Sequence, residues 1–218
     1  MRTLPLLAVG LTLLLTGAAY ADASIPHLNQ VATADLSKVA SGALPATQAS
    51  LSYRYTNQWG VDKLWQLRGN TLLFQKSIHT SQYVDQARQT ITSGGSLTGL
   101  ESGLLDLPYG NYDKYFQGSL TPAEVSAVYK QLAGLNLPNV TCEVGCGQNS
   151  WTIEVSCAGK LTQLFDVNAA GNPSFKPVTD YLETLFDGHD NALTEITRDA
   201  YLATYSPTIP AAMQGRVN

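Results

Sequence analysis

A regular alternation of apolar and polar residues begins at residue 51. Leu51, Tyr53 and Tyr55 alternate with polar residues, and this period of two predicts a strand with one face buried. Two further strands are predicted at 64–68 and 71–78, and only a glycine and an asparagine separate them. That pair suits the positive φ angles of a tight hairpin turn. The pattern therefore predicts a three-stranded meander, followed later by another strand.

A second hairpin is predicted at 150–157 and 160–167, but its register is open. A two-residue turn pairs Trp151 with Asp166, whereas a three-residue turn pairs Trp151 with Val167. A slip of one residue exchanges the two faces of a strand. We favour the three-residue turn because it gathers the apolar side chains on one face. Those side chains are Trp151, Ile153, Cys157, Leu161 and Phe165.

The clearest helix signal follows the first group of strands. Thr121 can cap a helix, Pro122 fits its first position, and Glu124 completes a capping box. Apolar residues then recur at the i, i+3, i+4, i+7 spacing of one helix face. They are Val125, Val128, Tyr129 and Leu132. Gly134 is the predicted stop.

A second helix is predicted from Pro177 to Gly188, with apolar residues at the same spacing. They are Val178, Tyr181, Leu182 and Leu185. The order of strands, helix, hairpin and helix predicts an α+β domain. We expect an antiparallel sheet, made of the meander plus the hairpin, with two main helices packed on one face.

Outside these elements the sequence shows little periodicity. Residues 22–50 are interpreted as an irregular lead-in, with a short helix near 31–39 as the alternative. Residues 93–110 contain five glycines and predict a long loop, which is either functional or disordered. We place a single domain at 51–190 and a C-terminal extension at 191–218.

The N-terminus has the pattern of a secretory signal peptide. Arg2 is followed by an apolar stretch at 4–15 and a small-x-small motif that ends at Ala21. A retained membrane anchor is the alternative, but the stretch is short for a bilayer. We therefore interpret residues 1–21 as the signal peptide and expect cleavage after Ala21. The mature product is expected to be secreted or periplasmic and to contain no membrane span.

Composition narrows the classes of partner. The 218 residues carry a net charge of −4, with 14% charged and 44% hydrophobic residues. There is no run of basic residues, which argues against nucleic acid as a partner because phosphate contacts need clustered positive charge.

The three cysteines allow one disulfide in an exported protein. Cys142 and Cys146 are separated by three residues that include a glycine, so a disulfide between them is the favoured pairing, with Cys157 as an apolar residue of the sheet. Redox catalysis is disfavoured because the spacing is not C-x-x-C and no electropositive setting surrounds the thiols.

The histidines do not form a recognised metal motif, and no cofactor fingerprint is present. We therefore assign no catalytic residue, no metal and no cofactor. His189 lies among acidic residues at the predicted end of a helix, and we interpret this cluster as a polar helix cap. A metal-binding or acid–base site is the alternative. A site that joins His79 to Ser96 or Ser102 remains open because folding can bring distant residues together.

Tyrosine and tryptophan are the remaining candidates for function. We predict that five of them form a binding surface: Tyr53, Tyr55, Trp59, Trp65 and Tyr109. Such side chains combine contact area with a polar group and are common at binding surfaces. The alternative is that aromatic residues simply suit strands. The leading hypothesis is a non-catalytic exported module that binds a protein, a peptide or a glycan. An envelope hydrolase with a site built on His79 or His189 is the alternative.

Overall fold

The computed structural model describes residues 30–140, 142, 149–167, 171–189 and 192–204. The predicted signal peptide lies outside these residues. The described strands are Ala49–Asn57 (β1), Val61–Arg68 (β2), Thr71–His79 (β3), Asn111–Ser119 (β4), Asn149–Cys157 (β5), Lys160–Asp166 (β6) and Thr194–Ile196 (β7). The described helices are Thr33–Ala40 (α1), Ser81–Thr92 (α2), Gly99–Ser102 (α3), Pro122–Gly134 (α4), Lys176–His189 (α5) and Arg198–Thr204 (α6).

The seven strands form one sheet in the order β6-β5-β1-β2-β3-β4-β7. Every neighbouring pair is antiparallel. The predicted α+β class is therefore confirmed, with β1 to β4 as the meander and β5–β6 as the hairpin. The hairpin joins the meander through β1, so the first strand lies inside the sheet.

The main core lies between one face of this sheet and the helices α1, α4 and α5. Its centre is a row of paired apolar residues that crosses the strands: Ile153, Tyr53, Trp65, Phe74 and Phe116. The rings of Trp65 and Phe74 stack with centroids 3.7 Å apart, and Phe186 of α5 stacks on Trp65 at 4.8 Å. Aromatic packing thus holds α5 against the sheet.

Several local predictions are confirmed. Thr121 and Glu124 form both halves of the capping box that starts α4, and the four predicted apolar residues of this helix are buried. The β2–β3 turn has two residues, with Gly69 at a φ of 60°. In α5 the structure buries Val178 and Leu182 as predicted, and it also buries Phe186.

The predicted register of the second hairpin is wrong. Trp151 pairs with Asp166, across a two-residue turn in which Ala158 and Gly159 both have positive φ. The buried face of β6 therefore carries polar side chains. Thr162 accepts a hydrogen bond from the backbone N–H of Val31 at 2.9 Å, and Asp166 accepts one from the side-chain amide of Asn172. Because both side chains have hydrogen-bond partners, their burial does not carry the free-energy cost of an unpaired polar group. The prediction had assumed that only apolar side chains occupy the buried face.

The irregular lead-in is wrong for residues 33–40, which form α1, the alternative given above. Leu36 and Val39 of this helix are buried in the main core. The predicted loop at 93–110 is also partly wrong. It contains α3 and a 3₁₀ turn, and Leu104 within that turn is buried.

Three further elements, α2, β7 and α6, were not predicted. Helix α2 follows β3 directly, and its buried residues are Val84 and Ala87. Beyond the predicted domain end at 190, β7 pairs with β4 and Tyr201 of α6 is buried. The last described residues are therefore part of the same fold.

Candidate binding site

A cavity of about 290 Å³ opens where α5 crosses β1, β2 and β3. Such clefts, lined by aromatic side chains and a few polar groups, are typical of ligand sites. We call it the aromatic cavity. Its lining residues are Tyr53, Tyr55, Lys63, Trp65, Phe74, Glu183, Phe186 and Asp187.

Tyr53 links the sheet to α5 at this cavity. Its side chain is buried, and its hydroxyl donates a hydrogen bond of 2.7 Å to a carboxylate oxygen of Glu183. Burial, together with this carboxylate, raises the pKa of Tyr53. The phenol therefore remains protonated at physiological pH and acts as a donor rather than as a base.

Tyr55 is half-buried and gives the cavity an accessible aromatic ring. Its hydroxyl donates to the side-chain oxygen of Asn149 at 3.1 Å. The ring lies 5.3 Å from that of Trp151 on the neighbouring strand, with the planes tilted by 53°. Burial raises the pKa of this tyrosine as well. The hydrogen bond and the ring contact fix the side chain in one place, so a ligand meets a pre-organised surface.

The charged groups of the cavity come from opposite sides. Lys63 extends from the sheet, and Glu183 and Asp187 extend from α5. No carboxylate of the described residues lies within 4.0 Å of the Lys63 ammonium. The cavity thus presents a cation and two anions separately to a ligand.

The structure brings together three of the five predicted binding residues: Tyr53, Tyr55 and Trp65. The other two lie elsewhere. Trp59 is in the β1–β2 turn, where its ring packs edge-on against Tyr83 of α2 at 5.3 Å. Tyr109 is 54% exposed, donates to Asp85 at 3.1 Å and lies under the guanidinium of Arg88.

The sequence interpretation missed the charged residues of the cavity, although a signal for each existed. Lys63 occupies a position of β2 whose neighbours at two-residue spacing, Val61 and Trp65, are buried. A lysine within an apolar face of a strand is such a signal. Glu183 and Asp187 are four residues apart on α5, which places them on one side of the helix.

The two described histidines are not part of the aromatic cavity. The Nδ1 atom of His79 lies 2.6 Å from the side-chain oxygen of Asn111, and Nε2 lies 3.0 Å from Asp113. The hydrogen bond with Asn111, followed by that with Asp113, raises the pKa of His79. His189 lies 3.6 Å from Glu124 at the end of α5. With both ring nitrogens engaged, His79 has no nitrogen left for a serine hydroxyl.

The described cysteines, Cys142 and Cys157, are free thiols. The predicted Cys142–Cys146 disulfide is therefore not present at Cys142, and Cys146 itself lies outside the described residues. Cys157 is buried at the end of β5, as expected for an apolar residue of the sheet. Burial raises the pKa of both described thiols, which disfavours the reactive thiolate.

Two kinds of feature are absent from the described part of the chain. It contains no group of three or more histidine, cysteine, aspartate or glutamate side chains placed to hold a metal ion. None of its helices combines the length and apolar character needed to cross a bilayer.

Comparison of the chain with models of known families, with curated proteins and with solved structures finds no match.

Proposed function

We propose that this protein is a non-catalytic binding module whose ligand occupies the aromatic cavity. The observation that carries the proposal is the convergence of Tyr53, Tyr55 and Trp65 with Lys63 and two carboxylates around about 290 Å³. A cavity with aromatic walls and a few convergent polar groups is the usual form of a small-ligand or oligomer site. The predicted signal peptide supports a ligand that is located outside the cytoplasm.

The geometry of the phenols also supports binding rather than chemistry. Tyr53 and Tyr55 donate their hydroxyl protons to Glu183 and Asn149, respectively. A catalytic tyrosine needs a lowered pKa to act as a base, whereas burial raises the pKa of both. These groups therefore offer contact area and fixed dipoles.

A hydrolase with a histidine-based site is the second candidate, and the His79–Asp113 pair favours it. A carboxylate on one imidazole nitrogen is the arrangement that orients a general base. In this protein the other nitrogen contacts Asn111, and 46% of the His79 side chain is exposed. An exposed pair that does not line the aromatic cavity fits a structural role better.

The test is binding of the protein to arrays of oligosaccharides and short peptides, compared between two alanine variants. Tyr55→Ala removes the accessible ring of the cavity. Tyr109→Ala removes an exposed ring outside it and serves as the matched control. We expect Tyr55→Ala to lose the captured compound and Tyr109→Ala to retain it, with both variants folded by circular dichroism.

Other outcomes contradict the proposal. Loss in Tyr109→Ala with retention in Tyr55→Ala would transfer recognition to the segment 93–110. A wild-type protein that captures nothing from either array would refute the cavity as a ligand site. Release of shorter products from a captured oligomer, abolished by His79→Ala, would favour the hydrolase.

A further inference from the structure

A row of side chains continues from the aromatic cavity across the sheet. The strand registers place one residue from each of five neighbouring strands opposite the next, on the face that carries the main core. In order from β5 to β4 these residues are Trp151, Tyr55, Lys63, Lys76 and Lys114. The row spans four strand spacings of about 4.8 Å, or about 19 Å. We call its last three members the lysine row.

The lysine row places like charges directly opposite each other on neighbouring strands. Lys63 pairs with Lys76, and Lys76 pairs with Lys114. Like charges at directly opposite positions destabilise a sheet. This protein has only thirteen lysine and arginine residues and a net charge of −4. Three cations in one row are therefore not a consequence of a basic composition.

Among the described residues, only the lysine at one end of this row has an ion-pair partner. Lys114 forms an ion pair of 3.1 Å with Glu195 on β7. Lys63 and Lys76 form no ion pair with any described residue, and both are half-buried. The two lysines without a described ion-pair partner within 4.0 Å are those nearest the aromatic cavity.

The residues two positions to either side of Lys63 and Lys76 in their strands are buried. Trp65 and Phe74 lie two residues away on one side, and Val61 and Ile78 lie two residues away on the other. Lys63 and Lys76 are therefore flanked by apolar side chains and are half-buried, and repulsion between charges at partly buried positions is screened less than at an open surface. An anion placed on the row would relieve that repulsion.

We propose that the lysine row is the acidic-group subsite of the binding site, and that the ligand is an anionic oligosaccharide. Its carboxylate or sulfate groups contact Lys63 and Lys76, and its neighbouring ring lies against Tyr55. This inference rests on the proposed function, because it extends the aromatic cavity into a longer site. Glu183 and Asp187, on the opposite wall of the cavity, accept hydrogen bonds from sugar hydroxyls and orient the acidic groups toward the lysines.

The direction of the row favours a sugar over an acidic peptide. The row runs across the strands, where the backbone groups of β1, β2 and β3 are already paired with their neighbours on both sides. An extended peptide on this face would find no partners for its own N–H and C=O groups, unlike a peptide that adds to a sheet edge. A saccharide has hydroxyls that side chains can satisfy and apolar ring faces that suit Tyr55 and Trp151.

The experiment measures binding by tryptophan fluorescence and calorimetry. The probes are an oligogalacturonate, a sulfated oligosaccharide, the methyl-esterified form of the uronate and an oligoglutamate of equal charge. The variants are Lys63→Gln, Lys76→Gln and the charge-preserving Lys76→Arg. Lys130→Gln, an exposed position on α4, makes the same charge change away from the site and is the control.

We expect the wild-type protein to bind an acidic saccharide in preference to the ester and the peptide, with an affinity that falls as salt rises. Each glutamine variant of the row should lose about tenfold or more in affinity, as expected for a charge-assisted contact. Lys76→Arg should bind nearly as well as wild type, and Lys130→Gln should be unchanged. In the absence of ligand, Lys76→Gln should melt at the same temperature as wild type or higher, because it removes both like-charge pairs of the row. A merely structural lysine would lower the melting temperature instead.

The remaining outcomes overturn the inference. Equal binding of the ester would mean that the lysines do not recognise the acid. Preference for oligoglutamate would identify an acidic peptide as the ligand, and binding of neither acidic saccharide would refute the assignment outright. If Tyr55→Ala abolishes binding while Lys63→Gln and Lys76→Gln retain it, the aromatic cavity stands and only the lysine row is wrong. If all three variants bind as wild type, the proposed function fails as well.

Discussion

At the scale of single residues, the buried hydroxyl of Tyr129 is expected to lower the free energy of unfolding, and a single substitution can remove it. It is completely buried, and its hydroxyl has no hydrogen-bond partner among the described residues. A buried polar group without a partner loses its hydration and gains nothing in return. We expect Tyr129→Phe to leave the free energy of unfolding unchanged or to raise it by up to about 1 kcal/mol, measured by urea denaturation.

Tyr53→Phe is the matched control for Tyr129→Phe. It removes an equivalent hydroxyl, but this hydroxyl donates to Glu183. The same chemical change should therefore destabilise the protein by about 1 kcal/mol. Equal effects of the two substitutions would contradict the different environments given to the two hydroxyls.

His79 provides a prediction on pH. Its hydrogen bonds with Asn111 and Asp113 raise its pKa, so the imidazolium stabilises the folded state. That contribution is complete below about pH 6.5, the ordinary histidine value, and is lost as the pH rises through the higher folded-state pKa. NMR titration should give a midpoint above 6.5 that Asp113→Asn lowers. The effect on stability should be small because the pair is exposed and screened.

At the scale of elements, two capping boxes allow one comparison. Thr121 caps α4, whose buried face belongs to the main core, and Thr98 caps α3, which has no buried residue. We expect Thr121→Ala to cost about 1 kcal/mol of global stability. Thr98→Ala should cost much less, because α3 can open without exposing apolar surface. Thermal denaturation of the two variants checks this, and comparable losses would mean that α3 is coupled to the core.

The elements also show where the sequence pattern was sufficient. Helix α4 was predictable because its cap, its stop and its apolar face all agree. The β5–β6 register was not, because its buried face includes Thr162 and Asp166, whose partners Val31 and Asn172 lie outside the hairpin. A local pattern treats such polar residues as exposed, since the hydrogen bonds that permit their burial come from elsewhere in the fold.

The same reason applies to the candidate site. Tyr53, Tyr55 and Trp65 could be selected because they alternate along neighbouring strands. The sequence places Glu183 and Asp187 on one side of α5, but it could not assign that side to the same site, because only the packing of α5 on the sheet brings it there. Trp59 and Tyr109 were included on residue type alone, which carries no information about distance.

At the scale of the whole molecule, the first helix tests where the domain begins. Leu36 of α1 is buried in the main core, although the sequence placed it in an irregular lead-in. We expect Leu36→Ala to cost about 2–5 kcal/mol, the range for a buried leucine. Leu202→Ala makes the same change at a side chain that is 45% exposed and should cost far less. A denaturation midpoint unchanged by Leu36→Ala would show that α1 does not stabilise the domain.

The central place of β1 has a consequence for synthesis and folding. One side of β1 pairs with β2 across a short turn, but its other side pairs with β5, and the contact between Thr56 and Ser150 closes 94 residues of chain. The meander can therefore form while β5 is still being made. Until β5 arrives, β1 is an open edge that can pair with another chain. Pairing with so distant a partner is slow. The protein is therefore most prone to aggregation between the folding of the meander and the pairing of β5 with β1.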